Sequence, residues 1–415
     1  MTRRSGRCRW DCGGRAAVTV TGTTTGWRVA LRAGATLAAA VGVGRFVFTP
    51  ILPLMQSQAG VSAQLGATLA TGNHVGYLAG ALAAMIAPRL ARTAFAVRVS
   101  AVAVVLSLAA MPLVAAPKAW IVLRGIAGAG SAIMFVAAAS AVLITVPTGS
   151  RHLVGWAYGG VGAGIAASGA VVLLVDLVGD WHTAWWAAAG LAALLGASGW
   201  RLAGTDPASE AETVVREPIS RPHRWFVPLV VAYFLEGVGY IIAGTFLVAT
   251  VAASVPGELG KATWIVVGLA AIPSCVLWAW LTSRLGHPTL LATALGLQAT
   301  GIVLAGLAVG VVDAVVAAVL FGGTFMGVTA IALDAGNHLQ IPAAVAILSA
   351  VYAVGQAAGP VAVAPLLSGG FHGALFVAAG VVALAALTAL MLRIRFPHAR
   401  PTVAIAPLAS AASDR

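Results

Sequence analysis

Three ionisable side chains stand deep inside long apolar runs: Arg45 in AVGVGRFVFTPILPLMQ, Arg124 in WIVLRGIAGAGSA and Glu236 in VVAYFLEGVGYIIAG. An arginine at the centre of a lipid-spanning helix costs about 2.5 to 3.5 kcal/mol on insertion scales, so such a residue is expected to be paired or functional. A carboxyl opposite a guanidinium in a dry interior has two uses. It can form a static ion pair that fixes helix packing. It can also gain and lose a proton, because burial favours the neutral carboxyl and a nearby arginine favours the charged one. Softer polar groups accompany these three. Asn73, His74 and Tyr77 lie together in TGNHVGYLAGAL, Tyr240 follows Glu236 by one turn, and Tyr352 and Gln356 share YAVGQAAGP. They read either as the polar wall of a translocation path, with the tyrosines able to stack on or hydrogen-bond a ligand, or as interhelical hydrogen bonds. Asn73 and Tyr77, four apart, are expected to share a helix face, with His74 pointing elsewhere.

The elements that must hold these residues are membrane helices. Of 415 residues 60% are hydrophobic and 9% charged, against about 25% charged in a soluble protein. Twelve apolar runs are candidate spans: 29–54, 63–87, 97–116, 119–146, 153–176, 181–203, 225–252, 262–283, 288–309, 313–335, 341–367 and 371–394. Strands alternating as in a barrel are not seen, so the fold expected is an all-α integral membrane protein. Pro50 and Pro53 should bend or end the first span near its outer mouth. All but four of the 24 lysines and arginines fall on one side of the spans or open the first one; Lys118 and Lys261 fall on the other, and Arg45 and Arg124 lie within spans. The positive-inside rule then places both termini and the central loop in the cytoplasm. The net charge of +12 is scattered over short loops, so nucleic acid is not expected as a partner.

The division expected is a disordered basic tail (1–27), a six-helix half (28–203), a cytoplasmic linker (204–223), a second six-helix half (224–396) and a cytoplasmic tail (397–415). The tail also reads as translation from a start placed too far upstream. The halves repeat at an offset of 195: GVGRF (42–46) falls on GVGYI (237–241), PRLA (88–91) on SRLG (283–286) and GGVGAG (159–164) on VGQAAG (354–359). Six spans per half make this a parallel repeat. It sets Tyr240 opposite Arg45, with Glu236 roughly 6 Å deeper at 1.5 Å rise per residue, within reach of an arginine side chain. Glycines at four-residue spacing (Gly72, Gly76 and Gly80; Gly155 and Gly159; Gly160 and Gly164; Gly355 and Gly359) allow close helix approach.

Two parallel six-helix halves resemble the major facilitator superfamily (MFS). Its loop signature is eroded to AMIAPRLAR (84–92) and AWLTSRLGH (279–287), keeping Arg89 and Arg284 but replacing the aspartate with Pro88 and Ser283. LRGIAGAGSA (123–132) is similar to its span 4 motif. GVGRFVFTPILPLM, GNHVGYLAGAL, AYFLEGVGYIIAGTFL and YAVGQAAGP together resemble the YbfB/YjiJ group of bacterial facilitators. The resemblance implies a multi-pass transporter of the bacterial inner membrane. It further implies that spans 1, 4, 7 and 10 line a cavity where Arg45, Arg124 and Glu236 converge. Spans 2, 5, 8 and 11 would then form the contact between halves, where the glycines suit a sliding motion. A G-x-x-x-G-P pattern, known from antiporters on span 5, occurs instead on span 11 with Pro360, and so does not assign antiport.

No phosphate-binding loop, paired carboxylates, metal cluster or nucleophile elbow occurs in the sequence. The expectation is a non-enzymatic, monomeric, cofactor-free secondary transporter that moves a small organic solute by alternating access, coupled to protons. Two bases against one acid favour an anionic or zwitterionic solute. The alternatives are an exporter of drugs or sugars by proton antiport, and a ligand sensor without flux.

Overall fold

The computed structural model describes residues 19–146, 151–200, 202, 222–254, 260, 262–282, 284–307, 310–341, 344–394 and 396–397. The tails, most of the linker, Ser283, Lys261 and the side chain of Arg151 lie outside the described residues, as do Cys8 and Cys12. Among those described there is no strand. The helices are α1 (Thr19–Leu37), α2 (Phe48–Ala59), α3 (Ala63–Ile86), α4 (Pro88–Ala91), α5 (Ala94–Ala110), α6 (Pro117–Thr145), α7 (Arg151–Asp176) and α8 (Trp181–Ser198). Beyond the linker follow α9 (His223–Ser254), α10 (Thr263–Thr282), α11 (His287–Leu307), α12 (Val311–His338), α13 (Ala344–Val363) and α14 (His372–Met391).

Ten segments among the described residues are long and apolar enough to cross a membrane, with α1 and α2 counted as one span, Gly26–Ala59. The chain is therefore a multi-pass membrane protein. Helices α3 and α8 are not among the ten. The first is interrupted by Asn73, His74 and Tyr77, and the second opens on Trp181 and His182. Large apolar side chains face outward around the bundle, among them Phe95, Leu106 and Leu194, each more than 60% exposed. That is the surface that the hydrocarbon of a bilayer requires.

The first span departs from expectation. It does not break at its prolines. The chain passes from α1 into a π-helical turn, Ala38–Val43, and then through 44–47 before α2 begins at Phe48. Pro50 falls in the first turn of α2, where a missing N–H leaves no helical bond unmade, and Pro53 is carried inside α2, which runs on to Ala59. The helix ends at Gly60, whose φ of 64° is the left-handed conformation favoured by glycine.

Before the linker α3 packs on α6, α5 on α6 and α8, and α1 on α7; after it α10 packs on α12, α11 on α12 and α14, and α9 on α13. The two sets meet where α3 lies against α13, α7 against α10 and α2 against α9. Most of the spaced glycines do not lie on those seams. A methyl at Gly72, Gly76 or Gly80 of α3 would strike Ile121, Gly125 or Ala129 of α6. Gly160 and Gly164 abut Gly34 and Ala38 beside the π turn, and Gly355 and Gly359 abut Phe234 and Val238 of α9. These stripes draw helices together within a set, because a glycine stripe faces whichever neighbour comes closest. Only Gly155 and Gly159, joined by Gly162, face α10 at Val276, Ile272 and Gly268.

Candidate functional site

The irregular backbone of the first span creates carbonyls that lack helical donors, and α6 supplies those donors. Arg124 gives one bond to Gly44 O at 3.2 Å and another to Arg45 O at 2.8 Å. Ser131, two turns further on, gives its hydroxyl to Ala40 O at 2.6 Å. The guanidinium of Arg124 is flanked by the rings of Phe48 and Trp185, at 5.1 and 5.8 Å, and the residue is 1% exposed. Broken helices in membranes are tolerated where side chains re-satisfy the freed groups. Asn73 completes this arrangement by donating to Arg124 O at 2.9 Å.

Arg45 leaves the same break in the opposite sense and enters the centre of the bundle. Its Nη2 donates to Gln356 Oε1 at 2.7 Å and meets His74 Nδ1 at 3.2 Å. Its guanidinium carbon lies 4.1 Å from the centre of the Tyr77 ring, a cation–π contact. His74 and Tyr77 thus serve one partner, while Asn73 turns to α6. The i,i+4 pairing of Asn73 with Tyr77 expected from spacing is replaced by an i,i+3 pair, since Arg45 approaches α3 from the side. Another donor of the Arg45 guanidinium, Nε, is buried without a partner.

Glu236 does not pair with Arg45 here. Its carboxyl is fully buried and receives a hydrogen bond from Gln298 Nε2 of α11 to Oε1 at 3.3 Å. Glu236 Oε2 and Gln298 Oε1 are both buried without partners. The side chain of Glu236 turns toward α11 and α13 rather than toward α2, and Tyr352 stands beside it. Tyr352 and Gln356 are one helical turn apart on α13, so this helix separates the carboxyl from the arginine while presenting a polar group to each. The three basic and acidic groups expected to converge are therefore two adjacent arginines and a carboxyl that takes a different partner.

Around Arg45 lies a cluster of rings. Phe46 makes edge contacts with Tyr240, Trp264 and Phe325 at 6.1 to 6.4 Å between centres. Tyr240 stacks on Phe321, Phe325 and Tyr352, and Tyr352 stacks on Tyr233 at 4.4 Å. A residual cavity of about 10 Å³ remains between Arg45, His74, Thr49 and Gly244, too small for much more than one water. Sequence reasoning missed Gln298, Ser131 and these phenylalanines. Gln298 had a signal, being a lone amide inside an apolar run, whereas nothing in composition sets Phe321 and Phe325 apart from core residues.

The residues of the facilitator loop signature sit at the rim. Arg89 is exposed on α4, and the guanidinium of Arg284 lies 4.1 Å from the Trp280 ring centre. Nearby, His287 meets Asp334 at 2.8 Å. Among the described residues no group of three or more His, Cys, Asp or Glu could hold a metal ion.

The lipid-facing bundle thus carries buried polar contacts between helices at its centre, and the family it matches is one of transporters, not enzymes. The chain belongs to the MFS-type transporters: the family described as the uncharacterised MFS-type transporter YbfB matches residues 37–390, in agreement with the group that the sequence motifs resemble. The fold is similar to that of a crystal structure of the nucleoside transporter NupG, in mutant form. The TM-score is 0.68 and the identity 12%, over 88% of this chain and 99% of that one. At that identity the likeness is one of fold. No curated protein matches the sequence.

Proposed function

We propose that the protein is a proton-coupled secondary transporter that moves a small anionic or zwitterionic organic solute by alternating access. In this reading α3 and α8 also cross the membrane, which makes twelve spans in two six-helix halves. The recurrence of the same helix pairings before and after the linker supports a parallel repeat. The linker face is cytoplasmic, as the distribution of Arg and Lys favours, the membrane is the bacterial inner membrane, and the protein works as a monomer.

The observation that carries the proposal is the Arg45–Gln356 bond. It joins the two halves through a buried cation whose partners are all neutral: an amide, an imidazole and a phenol ring. A buried charge without a counterion is costly, so a solute oxygen bearing negative charge is a better partner than Gln356. When it replaces Gln356, the cross-half tie is released and the halves can rock. Glu236 serves as the proton carrier in the other half. A bound proton neutralises the carboxyl and gives it a donor, which its unpartnered neighbour Gln298 Oε1 can accept. Tyr352 and Gln356 lie between the two sites, so occupancy of one is felt at the other through α13.

The test is uptake into proteoliposomes under an imposed pH gradient, with candidate solutes taken from metabolites retained or lost by a deletion strain. Gradient-driven flux is expected for the wild type, and its direction separates import from export. Glu236→Gln should carry out exchange but not accumulation. Accumulation with unchanged pH dependence in Glu236→Gln would refute the coupling role and leave Glu236 as a packing residue. Absence of flux for every candidate, with ligand binding intact, would favour a sensor.

A further inference from the structure

The polar and aromatic contacts of Arg45 and Phe46 together have the shape of a ligand. Arg45 and Phe46 are consecutive, and both reach from the first span into the other half. The guanidinium of Arg45 takes an amide oxygen at 2.7 Å. The ring of Phe46 sits in a bay formed by Tyr240, Trp264 and Phe325, with Phe321 stacked behind Tyr240. The bay carries a spare polar group as well, since the indole N–H of Trp264 is buried without a partner. The bond from Arg45 to Gln356 and the ring contacts of Phe46 cross the seam between halves, so they must break when the halves part, whereas the Tyr240–Phe321 stack lies within the second half and keeps the bay in place. What is then uncovered is a cation with an unused donor, Nε, beside flat ring faces.

We infer that the solute is an aromatic carboxylate. Its carboxylate takes the place of the Gln356 oxygen on Arg45, and its ring takes the place of Phe46 between Tyr240 and Phe325. The inference rests on the proposed transport of an organic anion and deepens it. Two physical terms select this class. A carboxylate accepts two parallel N–H bonds from a guanidinium, which the single oxygen of an amide cannot do. A planar ring stacks or makes edge contacts with the bay, which a puckered ring of the same size does poorly. The small cavity of this conformation is consistent with the two stand-ins occupying the places of carboxylate and ring.

The experiment is equilibrium binding of radiolabelled benzoate to the purified full-length protein in lipid nanodiscs at pH 7.5, with unlabelled competitors. Benzoate is expected to compete at least about fivefold better than cyclohexanecarboxylate, which has the charge but not the flat ring. Benzyl alcohol, with the ring but not the charge, should compete more than about tenfold worse. Phe325→Leu should bring benzoate and cyclohexanecarboxylate together, and Arg45→Met should abolish the preference for charge. The comparison of benzoate, cyclohexanecarboxylate and benzyl alcohol is read on the wild-type protein, so it stands even if a variant does not fold. Equal competition by cyclohexanecarboxylate or propionate overturns the aromatic assignment and leaves anion transport in place. Equal competition by benzyl alcohol, or no benzoate binding at all, overturns the inference entirely. Gradient-driven flux of other solutes decides the broader transport reading separately.

Discussion

Thr49 and Gly244 are hydrogen-bonded to each other: the threonine hydroxyl donates to the glycine carbonyl at 2.7 Å. They are 195 residues apart, the offset of the proposed repeat. In the proposed two-half reading, equivalent positions of α2 and α9 meet face to face at the centre of the bundle. The contact lies on the far side of Arg45 from the linker and ties the halves together there.

Replacing this bond should shift the balance of conformations. Thr49→Val keeps the shape and removes the donor, at a cost of about 1 kcal/mol to the state that contains the bond. The alternative state should gain roughly fivefold in population. Spin labels at Ser57 and Ala253, on the same side of the membrane, should then show a larger long-distance fraction. An unchanged distance distribution would make the bond incidental to opening.

Arg124 is expected to act on stability. Arg124→Lys leaves two buried carbonyls of the first span to a group with no planar fork, and should destabilise by about 3 kcal/mol or more. Ser131→Ala removes one neutral bond and should cost about 1 kcal/mol. Thermal unfolding in detergent measures both. An Arg124→Lys protein of wild-type stability that cannot transport would move Arg124 from the scaffold to the translocation path.

Gln298 should be needed for coupling, because it supplies the one amide donor to the Glu236 carboxyl. Gln298→Leu is expected to lower gradient-driven flux about tenfold, the effect of losing a hydrogen bond to a charged buried group. Solute counterflow, which needs no net proton movement, should persist. Equal loss of both activities would point to a fault in packing.

Asp180 caps α8 outside the membrane spans. The backbone N–H of Thr183, then its hydroxyl, then His182 hold its carboxyl down at about 2, against an ordinary 3.8. A depressed carboxyl contributes stability that is present above the unfolded value and lost as pH falls through the folded one. The difference in Tm between wild type and Asp180→Ala should therefore be constant from pH 7 to about 5 and shrink between about pH 4 and pH 2. A difference that does not change with pH would mean that the cap works without its charge.

The class of fold was legible because lipid leaves a strong mark on composition: apolar runs, few charges, and arginines kept to one side. Arg45, Arg124 and Glu236 stood out for the same reason, since each is an exception in an apolar run. Their partners were harder to read. Pairing Arg45 with Glu236 followed from charge and depth along the helix axis, but a helix also sets azimuth, and Glu236 turns toward α11. A π-helical turn before Arg45 rotates everything downstream relative to a regular helix, and no local residue type announces it. Gln298 is visible as a lone amide but, unlike Asn73 and Gln356, stands in no motif with aromatic residues. The aromatic bay was not legible, since Phe321 and Phe325 look like any core residues until their neighbours across the seam are known.

The two arginines also differ in when their partners exist. The carbonyls that receive Arg124, at Gly44 and Arg45, are synthesised about 80 residues earlier, so when α6 leaves the ribosome its acceptors are already in the bilayer. The first half can thus settle its costliest residue in the order of translation. Arg45 reaches His74 after 29 residues but meets Gln356 only after 311. During biogenesis it waits against α3 with its best neutral acceptor unmade, and the arrival of α13 near the end of synthesis completes the tie between the halves.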